Sequence, residues 1–110
     1  MSAGKYDITI EQGSDFSLQL TVQEANVAKN LTGYSVRGQI RSTIDASSIA
    51  ATFTGTVTNA TGGILTISLP YTTTEGIAPG LYYYDVEIFT GGSVQKLIKG
   101  TATVTGEVTR

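Results

Sequence analysis

Leu81-Tyr82-Tyr83-Tyr84-Asp85-Val86-Glu87-Ile88-Phe89-Thr90 is followed by Gly91-Gly92 and then by Ser93-Val94-Gln95-Lys96-Leu97-Ile98-Lys99-Gly100-Thr101-Ala102-Thr103. Two β-prone runs joined by paired glycines read as a hairpin. A two-residue primed turn needs φ > 0 at its centre, which glycine adopts without steric cost. Counting outward from that turn sets Glu87 opposite Lys96, a favourable cross-strand charge pair, and Val86 opposite Leu97. Side chains alternate along a strand. Tyr82, Tyr84, Val86 and Ile88 therefore share one face, and Leu81, Tyr83, Phe89 and Val94 the other. One face is expected to line a core. The other is too apolar to stand wholly bare, so something should cover part of it.

The same period of two recurs on both sides of the hairpin. Phe16, Leu18, Leu20 and Val22 alternate with polar residues, as do Tyr34, Val36, Gly38 and Ile40. Ala51, Phe53, Gly55 and Val57 alternate with threonines, and Leu65, Ile67 and Leu69 alternate with Thr66 and Ser68. Each pattern predicts a half-buried strand. With Tyr6 to Glu11 at the start, this makes about seven strands. Turn signals at Gln12-Gly13-Ser14, Asn30-Leu31-Thr32-Gly33, Asn59 to Gly63 and Pro79-Gly80 separate them. One helical turn is expected near Thr72 to Ile77, before Pro79. Seven short strands so spaced predict one all-β domain over residues 1–110, an antiparallel sandwich. A chain of this length buries enough surface to hold a core without disulfide staples.

Composition narrows the chemistry. The chain has no cysteine and no histidine, which removes thiol nucleophiles, disulfides, most zinc sites and the commonest general base. Serine and threonine are plentiful, but a hydroxyl nucleophile needs a base, and no Ser-x-x-Lys motif is present. Neither glycine pair forms a phosphate loop. We therefore expect no catalysis and no cofactor. Seven basic residues, scattered and outnumbered by nine acids, argue against a nucleic-acid surface. No apolar run is long enough to span a membrane, and the N-terminus lacks the apolar core of a secretory signal. Asn30-Leu31-Thr32 and Asn59-Ala60-Thr61 match the glycosylation acceptor pattern, but read as turn grammar.

Candidate contact residues follow from alternation. Asp85 and Glu87 share a strand face. The pair reads as a solvated face with Glu87 paired to Lys96, and a calcium site is the sharper alternative. Arg37 and Arg41 flank Gln39 on one face, where forked guanidinium groups can grip carboxylates across an interface. Tyr83 must face away from Tyr82 and Tyr84, and together with Phe89 it offers apolar contact. The stretch from Ala46 to Thr74 contains no charged residue, although it holds two predicted strands. Exposed sheet edges are usually blunted by charge, proline or bulges. The strand carrying Thr52, Thr54 and Thr56 thus either sits mid-sheet or is covered by a neighbouring subunit. The tail from Thr105 through Val108 to Arg110 either frays or docks as a strand on a neighbour's sheet.

Four segments carry a resemblance. They are Gln12-Gly13-Ser14-Asp15-Phe16, Leu31-Thr32-Gly33-Tyr34-Ser35-Val36-Arg37-Gly38-Gln39-Ile40-Arg41, Pro79 to Glu87, and Leu97-Ile98-Lys99-Gly100 with the ending Val104 to Arg110. In order and spacing they resemble small virion structural proteins of tailed bacteriophages, including the N-terminal sandwich of baseplate upper proteins that serve as fibre adaptors. The resemblance covers most of the chain and implies an immunoglobulin-like sandwich built into a virion. Its partners would be other virion proteins and copies of itself. Tail, baseplate or fibre adaptor is the expected place, and capsid decoration is the alternative. A carbohydrate-binding sandwich, with tyrosines as stacking platforms, is the reading from another class.

Overall fold

A computed structural model describes residues 4–44 and 46–107. The chain forms an immunoglobulin-like β-sandwich. Its strands are β1 (Gly4–Lys5), β2 (Ile8–Glu11), β3 (Phe16–Thr21), β4 (Gln23–Glu24), β5 (Val27–Ala28), β6 (Ser35–Arg41), β7 (Ala51–Thr52), β8 (Thr54–Asn59), β9 (Ile64–Leu69), β10 (Gly80–Thr90) and β11 (Ser93–Thr105). A single helical turn, α1 (Tyr71–Thr74), precedes β10.

The first sheet runs β1-β11-β10-β6-β7, with β2 also on β11; the second runs β3-β9-β8. All neighbours are antiparallel except β1 and β2, which lie parallel to β11. The antiparallel sandwich expected from the sequence is what forms, with these two short parallel strands added at its edge. The predicted strand from Tyr6 to Glu11 begins only at Ile8; Tyr6 and Asp7 form a break between it and the short β1 that precedes the predicted range, both pairing with β11. At that break the Tyr6 N–H donates to the Lys99 carbonyl (2.9 Å). Backbone contact is so close that a Cβ on Gly100 would lie 2.2 Å from the Tyr6 carbonyl oxygen.

The glycine hairpin forms in the expected register from Thr90–Ser93 to Glu87–Lys96. Val86, however, pairs with Ile98 rather than Leu97, because a β-bulge places one extra residue on β11. Leu97 is buried and Ile98 half-buried. Two successive apolar residues are thus removed from water, where strict alternation would leave one outside.

The predicted strand from Ala51 to Val57 divides. Ala51 and Thr52 pair with β6, and the chain then crosses to pair with β9 from Thr54 onward. Phe53, at the crossing, is buried, its ring centroid 6.1 Å from those of both Phe16 and Tyr84. It fills the space between the sheets. Around it pack Ile10, Ile40, Leu65, Ile67, Val86 and Ile88, all fully buried. Burial of a side chain of this size contributes about 1.5–3 kcal/mol. The hairpin β4–β5 is an addition to the expected strands; Ala25 and Asn26 supply the two positive φ angles at its turn (51° and 64°).

Tyr82 stands near the start of β10, and its hydroxyl donates to the Ala78 carbonyl four residues upstream (2.7 Å). This is the tyrosine corner of immunoglobulin-like domains. Tyr84, two residues on, points inward and donates its hydroxyl to the Tyr6 carbonyl. Burial pushes its pKa up to about 12, with Asp7 and Tyr6 adding to the effect.

Candidate interaction surface

The outward face of the first sheet gathers most of the candidate residues. Cross-strand register places Arg37 beside Glu87, Gln39 beside Asp85 and Arg41 beside Tyr83. Lys96, Lys99 and Thr101 follow on β11, and Thr52 flanks Gln39 on β7. Thr54 and Thr56 do not join them. The sheet crossing at Phe53 puts both on the outward side of the second sheet, where β8 is an edge strand. Of the uncharged stretch, β9 sits mid-sheet and β8 at the edge, with Gly55 of β8 seated against Val36 of β6. Val108 and Arg110 lie outside the described residues.

The charges of the upper half of this face, nearest the Gly91-Gly92 turn, are satisfied internally, while Val94 at its tip stays 56% exposed. Glu87 is only 8% exposed, although it lies on the outward side. Arg37 Nε donates to its Oε1, and Lys96 Nζ lies 2.7 Å from its Oε2. Lys96 also reaches Asp85 at 3.3 Å. Burial raises the Glu87 pKa, but hydrogen bonds from Lys96 and Arg37 outweigh it and hold the carboxyl below its ordinary value. The Arg37 guanidinium lies 4.3 Å from the centroid of the Phe89 ring. That stacking covers the apolar ring expected to need cover. Asp85 and Glu87 are therefore ion-paired side chains, and the described residues contain no cluster of three or more potential metal ligands.

The lower half is arranged differently. Ile44, 77% exposed, rises from the loop after β6 and walls a cleft of ≈ 340 Å³ with Tyr83, Thr101, Lys99 and Lys5. Arg41 borders it, its guanidinium donating to the Ala46 carbonyl (2.7 Å) and to Gln39 Oε1 (3.0 Å). Among the described residues, Lys5, Lys99 and Arg41 have no carboxylate within ion-pair distance. Asp7, at the rim, accepts a hydrogen bond from Thr101 N–H (3.0 Å), which chiefly holds its carboxyl below the ordinary value. Further down lies Leu81, 55% exposed and paired with Thr103. The face ends at a polar notch of ≈ 440 Å³ lined by Glu11, Gln12, Thr105 and Glu107, among others. Sequence reasoning singled out Arg37, Glu87 and Lys96 and put Leu81 on the face needing cover, but passed over Lys5, Lys99 and Glu11. Only the pairing of β1 and β2 with β11 brings Lys5 and Glu11 onto the surface of Lys99 and Leu81.

Fold and face together define a small immunoglobulin-like sandwich that presents one charged sheet. No protein-family model matches the chain and no curated protein matches it. Among solved structures it is similar to InlP of Listeria monocytogenes, with a TM-score of 0.51 and 21% identity over 94% of this chain and 27% of that one. The chain thus spans about a quarter of the InlP chain, and the likeness is one of fold.

Proposed function

We propose that this chain is a non-enzymatic structural component of a tailed-bacteriophage virion, at the tail, baseplate or fibre adaptor, acting through protein–protein contacts. The observation that carries the reading is the lower half of the outward sheet face. It combines exposed apolar side chains, Ile44 and Leu81, with three cations, Lys5, Lys99 and Arg41, that have no carboxylate within ion-pair distance among the described residues. Interfaces concentrate apolar contact ringed by polar groups in this way. The edge strand β8, with threonines on its outward side, adds a second surface that a neighbour can cover. The order of the four resembling segments favours the virion over other settings for such a domain. A capsid decoration protein would use the same surfaces. A sugar-binding role would engage Asp85 or Glu87 beside Tyr83, but Lys96 and Arg37 already hold those carboxylates.

Mass spectrometry of purified particles tests the proposal, combined with antibody labelling of the same particles. The expected result is the chain present at fixed stoichiometry, with label at the tail or baseplate. Label on the head would move the chain to capsid decoration. Its absence from particles would overturn the proposal.

A further inference from the structure

The lower half of the outward face carries opposite charges at its two ends. Lys5 and Lys99 lie side by side in one row, and Glu11 and Thr105 in another, six residues further along β11. Strand rise sets those rows about 20 Å apart, so Lys5 and Lys99 cannot reach Glu11 within one molecule. Glu107 stands beside Glu11 at the acidic end, its N–H 3.4 Å from Gln12 Oε1. Two carboxylates lie near the basic end: Asp7 accepts from Thr101 N–H and feels the Lys5 charge, and Asp85, opposite Lys99, is ion-paired with Lys96. Between the two rows sits exposed Leu81, paired with Thr103.

We propose that the occupant of this face is a second copy of the chain, turned about a two-fold axis that passes close to Leu81. Rotation about that axis exchanges the ends. Lys5 and Lys99 of each copy meet Glu11 and Glu107 of the other, and the two Leu81 side chains meet at the centre. A two-fold interface requires self-complementarity, each contact occurring twice. An apolar centre flanked by opposite charges meets that requirement, and the pairs fix the relative orientation. This rests on reading the face as the contact surface, and it specifies the partner.

Sedimentation velocity from micromolar to near-millimolar concentration tests the arrangement, with circular dichroism to confirm that each variant is folded. The wild-type chain is expected to form a dimer that weakens as salt rises. Lys99→Glu and Glu11→Lys should each raise the dimer dissociation constant by ~10-fold or more, and Leu81→Asp should do so as well. The double variant Lys99→Glu/Glu11→Lys should restore association, because both contacts are then reversed together. Failure of the double variant to recover would overturn the pairing. A monomer at all concentrations would overturn self-association, and a ring or longer oligomer would overturn the two-fold. Recovery of a monomeric chain from virions would reject this inference while leaving the virion assignment standing.

Discussion

The two halves of the outward sheet face use charge in opposite ways. Near the Gly91-Gly92 turn, Arg37 and Lys96 close on Glu87 and Asp85, so the charges are satisfied within the molecule. Toward the other end, Lys5 and Lys99 stand a strand's length from Glu11 and Glu107. The first arrangement holds the fold together, and a buried carboxylate with two cationic partners is costly to disrupt. The second contributes little to the monomer, since exposed separated charges interact weakly through water. It becomes favourable only when another surface brings the opposite charges together. One sheet face thus carries a structural region and a contact region, which meet at the row where Asp85 lies opposite Lys99.

The largest expected effect comes from forcing apart the strands beneath the lower half. Gly100→Ala would drive its Cβ into the Tyr6 carbonyl. It should destabilise the domain by about 3 kcal/mol in urea unfolding, as overpacking does. That carbonyl also accepts the Tyr84 hydroxyl, so both contacts are lost together. A little smaller is Glu87→Ala, which removes the anion Arg37 and Lys96 share and leaves Lys96 with Asp85. We expect a loss of about 2 kcal/mol by the same measurement.

Tyr84→Phe should cost about 1 kcal/mol at neutral pH for the lost hydrogen bond. It should also change the alkaline limb. The Tyr84 pKa is raised from 10.0 to about 12, so the unfolded chain ionises first and stability falls as pH rises between those values. Thermal unfolding across that range should show a shallower decline in the variant. Glu87 gives the opposite sign. Its folded pKa lies below the ordinary 4.5, so its contribution is present above that value and is lost as pH falls through the folded one. Glu87→Gln should flatten the acid limb of the stability profile. Smallest of all is Lys99→Glu, expected to shift monomer stability by no more than about 0.5 kcal/mol.

Local pairing was legible in the sequence, and strand order was not. Gly91-Gly92 and the alternation around it gave the hairpin and the Glu87–Lys96 pair. Arg37 completed that site only because β6 lies next to β10, an arrangement no local pattern encodes. The bulge escaped for a related reason. Leu97-Ile98 is an ordinary apolar dipeptide until its partner strand is known. Ala51, Phe53, Gly55 and Val57 keep their inward phase across the change of sheet, so a period of two cannot reveal the crossing. The β4–β5 turn carries Ala25-Asn26 at positive φ, where glycine would have announced it. Lys5, Lys99 and Glu11 were unremarkable singly, and their meaning came from β1 and β2 running parallel to β11.

The most direct test compares Glu87→Ala and Lys99→Glu side by side, measuring unfolding free energy and self-association on the same preparations. The predicted result is a crossed pattern. Glu87→Ala loses stability and keeps the wild-type association constant, whereas Lys99→Glu keeps stability and loses association. Lys99→Glu destabilising the monomer as much as Glu87→Ala, or Glu87→Ala alone abolishing association while still folded, would contradict the division of the face into a structural half and a contact half.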